Sequence, residues 1–138
     1  MDITAVKTDN ITELLTQILD FTEQRKEILF RNILDRGNPG FVPQDLPAAE
    51  FAQCLTQALC EHLCRNRLLF CDSRHIRFEP NGNLKIEPMT DPEAHRLLTS
   101  NPSLYLQSQM QKLSENLLNN RIAAELLAHV RSKSAAAR

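Results

Sequence analysis

The sequence predicts a mainly α-helical fold in which two long terminal helices pack antiparallel, as a helical hairpin or coiled coil, around a middle helix and a small β-hairpin. Of the 138 residues 42% are hydrophobic but only 5% are aromatic, with no Trp, so aliphatic side chains carry the burial, as in helix-on-helix packing. Apolar residues recur at heptad spacing near both ends. Between them, Asn81-Gly82 separates two short alternating runs, which is typical of a hairpin.

The N-terminal helix is expected from about residue 11 to residue 35. Asp9 or Asn10 is placed to cap its start, and Gly37 to take the left-handed conformation just past its end. Pro39-Gly40 fits the two central positions of a type II turn. The heptad stripe of this helix comprises Ile11, Leu14, Ile18, Phe21, Arg25, Ile28, Asn32 and Asp35.

The middle region is predicted to hold a helix from about residue 47 to residue 69 and then the hairpin. Its strands are expected at residues 75–78 and 84–86, because apolar and polar residues alternate there. Residues 87–103 read as a linker around a short turn of helix, punctuated by three prolines. The chain thus divides into an N-terminal axial helix with its Pro-Gly-Phe corner, a middle region and a C-terminal axial helix, at 1–46, 47–100 and 101–138.

The C-terminal helix is expected from about residue 103 to residue 130. Asn101 is a suitable cap, and Pro102 stands at the favoured first helical position. Its stripe again steps by four and three, through Leu106, Met110, Leu113, Leu117, Asn120, Ala124 and Leu127.

Antiparallel pairing of the two stripes sets Ile11 near Leu127 and Ile28 near Met110. Polar residues on a heptad seam usually cost stability and fix register. Two interpretations stay open: the stripes form an ordinary intramolecular core, or other chains complete them. The seam positions expected to fix register are Asn32 and Asn120.

Charge and hydropathy exclude several classes of partner. Sixteen basic residues against 17 acidic ones give a net charge of −1, so nothing favours nucleic acid or an anionic membrane surface. No apolar run approaches the roughly 20 residues that cross a bilayer. MDITAVKTDN has no apolar core of a cleavable signal, so we expect a cytoplasmic protein or one exported by another signal.

Four cysteines lie within one third of the chain, and they carry the main alternative hypothesis. Cys60 and Cys64 stand one helical turn apart, and Cys71 and His75 follow, so the four could hold zinc in a small helical regulatory module. The spacing is not the usual Cys-x2-Cys knuckle. A second interpretation is that Cys54, Cys60 and Cys64, which lie among Phe51, Leu55 and Leu63, act as small apolar side chains. Free thiols are the default expectation, with a disulfide as an option after export.

No enzyme is predicted, and no cofactor. The three glycines form no phosphate-binding loop, and no nucleophile motif accompanies the pair Cys71 and His75.

Two stretches resemble the bacterial flagellar axial, or rod, protein family. In that family an apolar helix leads into Asn-Ile-Ala-Asn and then into Thr-Pro-Gly followed by Tyr or Phe. Here residues 32–35 read Asn-Ile-Leu-Asp and residues 38–41 read Asn-Pro-Gly-Phe. Residues 106–127 are similar to the family's C-terminal helix, with Leu-Ser-Glu-Asn at 113–116. The chain departs from the family pattern at Leu34, Asp35 and Asn38.

The resemblance implies a structural subunit of the proximal rod of the flagellar basal body. Such subunits pass unfolded through the flagellar type III apparatus without a cleavable signal and assemble in the periplasm. Their partners are other rod proteins, components of the basal-body base and further copies of themselves, with no nucleic acid and no direct membrane insertion. The expected assembly interface comprises Ile11, Leu14, Ile18, Phe21, Ile28, Asn32, Pro39, Gly40, Phe41, Leu106, Met110, Leu113, Leu117, Asn120 and Leu127.

Overall fold

Two long helices run the length of the molecule, and short elements pack along them. The structure is a computed structural model that describes residues 3–80 and 82–136, with the side chains of 10–80, 82–133 and 135. At 1.5 Å rise per residue each terminal helix is about 50 Å long. In chain order the elements are α1 (Ile3–Leu34), β1 (Gln44–Asp45), α2 (Ala48–Arg65), β2 (Ile76–Phe78), β3 (Leu84–Ile86), β4 (Met89–Thr90), α3 (Pro92–Ser100) and α4 (Pro102–Ala136).

The predicted antiparallel packing of the terminal helices is confirmed. Near one end of the pair, Leu15 of α1 forms a buried cluster with Ala123 and Leu127 of α4, and Ile11 packs against it. Ile11 and Leu127 are therefore neighbours, as the heptad register predicts. We call this α1–α4 interface the seam.

The second expected neighbour pair does not form. Ile28 packs toward the middle region rather than toward Met110, and Met110 is 52% exposed. The register along the helix axes is close to the predicted one, but α4 is turned about its axis, so Met110 points away from α1.

The middle region packs on the face of α1 that the seam leaves free. Its core takes one or two buried side chains from each of α1, the segment before α2, α2 and the β2–β3 hairpin. Phe21 of α1 stacks on Phe51 of α2 with ring centroids 4.1 Å apart. The members of this cluster are Phe21, Leu46, Phe51, Ile76 and Leu84.

The predicted turn after α1 forms at Asn38-Pro39-Gly40-Phe41. The Phe41 N–H donates to the Asn38 carbonyl at 3.2 Å, and Gly40 has φ +77°, which a type II turn requires at that position. The expectation for Gly37 is wrong, since its φ is not positive. The helix ends instead in a tight turn in which the Asn38 N–H donates to the Asp35 carbonyl at 3.0 Å.

The helix starts differ from the sequence-based boundaries in one case and agree in another. Helix α1 already begins at Ile3, so Asn10 lies inside it rather than capping it; the side chain of Asp9 lies outside the described residues. At α4, Asn101 accepts a hydrogen bond from the Leu104 N–H at 3.2 Å and Pro102 opens the helix, as predicted.

The β2–β3 hairpin forms where the alternating runs predict it. Its register pairs Ile76 with Ile86 and Phe78 with Leu84, and Gly82 has φ +88° in the connecting turn. Asn81, which carried part of the turn prediction, lies outside the described residues.

A second antiparallel ladder, β1 with β4, was not expected from the sequence. It pairs Gln44 with Thr90 and Asp45 with Met89, and the Asp91 N–H donates to the Pro43 carbonyl at 3.0 Å. Two residues carry too little alternation for a sequence pattern to detect. Helix α3 follows directly and packs Ala94 and Leu97 around Tyr105 of α4.

Truncating a buried side chain of α1 tests this packing. Leu29 is fully buried, and Leu29→Ala is expected to lower the free energy of unfolding by about 2–5 kcal/mol. The same change at Leu34, which is 77% exposed on the same helix, is expected to cost less than about 0.5 kcal/mol. Urea unfolding measures both, and equal losses in the two variants would contradict the orientation of α1.

Candidate assembly surface

Asn32 fixes the corner, which we define as residues 35–47 between α1 and α2. Its Oδ1 accepts from the Gln44 N–H at 3.1 Å, and its Nδ2 donates to the Gln44 carbonyl at 2.7 Å. The side-chain amide thus binds β1 as a neighbouring strand would. Pro39 and Gly40 are exposed and Phe41 is half-buried, so of the predicted corner residues Asn32 makes the buried contacts.

The same amide joins the corner to α4. Asn32 Nδ2 also donates to Gln109 Oε1 at 2.9 Å, and the Tyr105 hydroxyl donates to the Asn32 carbonyl at 2.7 Å. Burial and the negative charge of Asp91 raise the pKa of Tyr105, so the phenol keeps the proton that it donates. Three elements therefore meet at one asparagine.

A second group of polar side chains crosses the seam further along. Asn116 donates to the Thr22 carbonyl at 2.8 Å, and Asn120 donates to the Thr22 hydroxyl at 2.8 Å. Each bond requires one residue of α4 to stand opposite one residue of α1, so these pairs fix the register of the two helices. Asn120 was expected in this role from its seam position.

Charged side chains close the end of the seam beside the corner. Arg25 donates through two nitrogens to the two carboxylate oxygens of Asp45, both at 2.9 Å, and Lys112 lies 2.7 Å from Asp91 and 3.6 Å from Asp45. Burial raises the pKa of Asp91, but hydrogen bonds from Lys112 and the Ala94 N–H outweigh it, and the net pKa is lowered. Asp91 also caps α3, so one carboxylate links α3, α4 and the β1–β4 ladder.

The face of α4 that turns away from α1 is apolar and uncovered. Leu118, Ile122 and Leu126 follow one another at four-residue spacing and are 46% to 58% exposed. We call them the outer stripe. Large apolar side chains exposed in a row on a helix mark a surface where a partner can pack, and no described element covers these three completely.

An apolar groove lies between this stripe and α2. Its volume is about 350 Å³, its floor is formed by Leu15, Ile18 and Phe21 of α1, and one wall carries Ile122 and Leu126. The opposite wall comes from α2, with Ala48, Phe51, Ala52 and Leu55. Three helices thus surround a groove that suits a fourth.

The predicted interface residues divide between the seam and the surface. On α1, Phe21 is buried, and Ile11, Leu14, Ile18 and Ile28 are half-buried. On α4, Leu113 and Leu127 are buried in the seam, and Leu106 and Asn120 are half-buried. Met110 and Leu117, expected to face α1, are exposed, because α4 turns Gln109 and Asn116 inward instead.

Sequence reasoning missed four buried residues of α4, and all but Ala123 carry a polar group. Tyr105, Gln109, Asn116 and Ala123 are buried on α4, one position before the expected residues 106, 110, 117 and 124. The available signal was a second stripe of small and amide-bearing residues beside the apolar one. Amides enter a core only where partners exist, and the partners are backbone groups that no heptad pattern displays.

The proposed zinc ligands do not form a cluster. Cys60, Cys64 and Cys71 are exposed, and His75 Nδ1 lies 2.9 Å from Glu50 Oε1. Within the described ranges, no group of three His, Cys, Asp or Glu side chains is placed to hold a metal ion. Cys54, by contrast, is buried as a small apolar side chain, with its sulfur 3.7 Å from the Cys71 carbonyl.

Glu50 instead anchors the loop that leads into β2. Its carboxylate accepts from the Ser73 hydroxyl at 2.6 Å and from the His75 N–H at 2.9 Å. Burial raises the pKa of Glu50, but these bonds and the His75 ring outweigh it, so the net pKa is lowered. The His75 ring therefore already has a hydrogen-bond partner within the chain, the Glu50 carboxylate.

Comparison with protein-family models, with curated proteins and with solved structures finds no significant match to this chain. No helix among the described residues is long and apolar enough to cross a membrane.

Removing the Asn32 amide tests the corner. Asn32→Ala leaves the N–H and carbonyl of Gln44 and the Gln109 oxygen without this partner, and we expect a loss of about 2–5 kcal/mol in unfolding free energy. Asn38→Ala, at an exposed position of the same corner, is expected to cost less than about 1 kcal/mol. Urea unfolding followed by circular dichroism gives both values. Similar losses in both variants would show that the amide does not fix the corner.

The lowered pKa of Asp91 predicts an acid-sensitive contribution to stability. Because the folded pKa lies below that of the unfolded chain, about 3.9, Asp91 stabilises fully above that value and loses its effect as pH falls through the folded pKa. The difference in unfolding free energy between wild type and Asp91→Asn is therefore largest at about pH 6 and shrinks below about pH 4.

The control for the Asp91 measurement is Glu93→Gln, which changes an exposed carboxylate in the first turn of the same helix. The unfolding free energy of this variant is expected to differ from that of the wild type by less than about 0.5 kcal/mol, both at about pH 6 and below about pH 4. A gap for Asp91→Asn that stays constant or widens on acidification would contradict the charge network.

Proposed function

We propose that the protein is a structural subunit that builds a larger assembly through its terminal helices, and that the assembly is the rod of the bacterial flagellar basal body. One observation carries the assembly role: α4 keeps an uncovered outer stripe beside an apolar groove floored by α1. Covering exposed apolar area stabilises by about 25 cal/mol per Å², so a partner helix that fills the groove gains directly from it. No catalytic role is proposed.

The flagellar assignment rests on the resemblance of the two ends of the chain to axial proteins. Asn32 and the Asn38-Pro39-Gly40-Phe41 turn are the residues that resemble the family's N-terminal pattern. They support the proposal because they set the direction that the chain takes after α1. The narrower proposal is the proximal rod, the type represented by FlgB. This narrower proposal includes a periplasmic location and export without a cleavable signal. The proposed partners are other rod proteins, the basal-body base and further copies of the same chain.

The seam lends the proposal a physical basis. A tube wall needs subunits that keep one shape while their outer faces bind neighbours. The hydrogen bonds of Asn32, Asn116 and Asn120 hold α1 and α4 in one register within the chain, so the outer stripe is presented as a rigid surface.

A charge placed in the groove tests the assembly role. Ile122→Asp is expected to reduce co-sedimentation with the other rod subunits of the same organism about tenfold or more, because it buries an unpaired carboxylate at the contact. Ile122 is 46% exposed in the single chain, so the variant loses only part of an apolar contact, and the free energy of unfolding should fall by no more than about 1.5 kcal/mol.

The matched control is Ala128→Asp, which adds the same charge at an exposed position of α4 outside the groove lining. It should co-sediment like the wild type. A wild-type chain that stays monomeric and does not co-sediment with the rod subunits would contradict the proposal. One zinc per chain after anaerobic purification would favour the alternative module of Cys60, Cys64, Cys71 and His75.

A further inference from the structure

A second groove lies in the middle region, against the β2–β3 hairpin. Its volume is about 450 Å³. Three cationic side chains line it, from Arg74, Arg77 and Lys85, against one carboxylate, from Glu87. We call it the hairpin groove. It shares no residue with the groove beside α4.

Two of the three cations of the hairpin groove have no partner among the described residues, and the third is weakly paired. Among the described residues, neither Arg74 nor Arg77 makes an ion pair or a side-chain hydrogen bond, and the Lys85 nitrogen is 4.0 Å from Glu79 with its side chain 76% exposed. Some other arginines are paired, such as Arg25 with Asp45 in the interior and Arg96 with Glu93 on the surface. The groove therefore brings two unpaired arginines and one weakly paired lysine together in a chain whose net charge is −1.

The placement of two of these cations is unfavourable for the hairpin itself. Arg77 and Lys85 stand directly opposite each other in the β2–β3 register. Like charges at directly opposed positions of an antiparallel pair destabilise it. A cation at both positions is therefore not explained by folding, whereas an anion bound between them would relieve the repulsion.

The groove offers side chains rather than backbone to a partner. The Leu84 N–H donates to Asp20 at 2.9 Å and the Leu84 carbonyl accepts from Gln24 at 3.1 Å, so one edge of the hairpin is covered. At the other edge the Phe78 N–H donates to Asp72 at 2.9 Å. A partner strand finds these groups occupied and cannot extend the sheet through them.

We propose that the hairpin groove binds an acidic segment of another protein chain through paired contacts of its carboxylates with Arg74, Arg77 and Lys85. Guanidinium groups hold carboxylates with two parallel hydrogen bonds. The cations are spread over the hairpin: Arg77 and Lys85 are about 5.5 Å apart at Cα, and Arg74 is up to roughly 10 Å from Arg77. That spacing fits successive carboxylates of a chain better than one small anion.

Two other ligand classes fit the groove less well. A small phosphate is usually held in a concave nest of backbone N–H groups, whereas the three cationic side chains here are all exposed. A single-stranded nucleic acid needs aromatic rings on which bases stack, but the groove is lined by no Phe, Tyr or Trp, and the His75 ring is bonded to Glu50. The proposal concerns a surface distinct from the apolar groove and stands whether or not the protein is a rod subunit.

Calorimetric titration with a hexaglutamate peptide tests it, at about 20 mM NaCl, where the Debye length is roughly 20 Å. The wild-type chain should bind the peptide at low salt, and binding should no longer be detected at about 0.5 M NaCl. Lys85→Glu should weaken binding about tenfold or more, since it reverses one contact. Arg131→Glu makes the same change of charge at an exposed position near the end of α4 and should bind within about twofold of wild type.

Thermal unfolding of the same variants separates binding from structure. Lys85→Glu replaces the like-charged pair with an attractive one but also removes the contact with Glu79, so the unfolding midpoint should stay within about 3 °C of the wild-type value while binding falls. Three outcomes would overturn the proposal: no hexaglutamate binding by the wild type at low salt, equal weakening by Arg131→Glu, or tighter binding of pyrophosphate than of hexaglutamate.

Discussion

Asn32 is the point on which the arrangement of this chain depends. Its side-chain amide has one donor group and one acceptor group, and both are used on elements distant in sequence: the backbone of Gln44 and the side chain of Gln109. A buried amide without partners is costly, so the fold must bring those groups to it. Asn32 thereby couples the direction in which the chain leaves α1 to the position of β1 and to the rotation of α4 that turns Gln109 inward.

The consequence is a seam that is partly polar, and this explains why apolar residues remain outside. Where Gln109 and Asn116 turn inward, the residues that follow them, Met110 and Leu117, turn outward. The seam is not optimised for stability alone, since Gln109 Nε2 has no acceptor among the described residues. Such a cost is typical of interfaces in which polar groups specify one register. A subunit that presents a fixed outer face to neighbours benefits from that specification.

Local signals in the sequence were sufficient where the structure depends on local chemistry. The Pro39-Gly40 turn, the start of α4 at Asn101 and Pro102, and the β2–β3 hairpin follow from backbone preferences of a few adjacent residues. The antiparallel pairing of the terminal helices followed from heptad spacing, which also placed Ile11 beside Leu127.

The remaining differences come from distant partners. Nothing near residues 44–45 or 89–90 in the sequence indicates that these two segments pair. Their ladder depends on the contacts of Asn32 and of the Pro43 carbonyl. The face of α4 was misassigned for the same reason, since amides count as surface residues until their acceptors are known. The groove beside α4 could not be predicted either, because it depends on the rotation of α4 and on how α2 lies across α1.

The most direct test of the central claim, that α4 presents its outer stripe to neighbouring molecules, is methyl NMR with a soluble paramagnetic agent. In the isolated chain the methyl groups of Leu118, Ile122 and Leu126 should relax strongly, while those of Leu113 and Leu127 in the seam are shielded. If the proposed assembly forms, adding the rod subunits proposed as partners should shield the outer-stripe methyl groups as well. Outer-stripe methyl groups that are shielded in the dilute single chain, or that stay accessible in the assembly, would contradict the account.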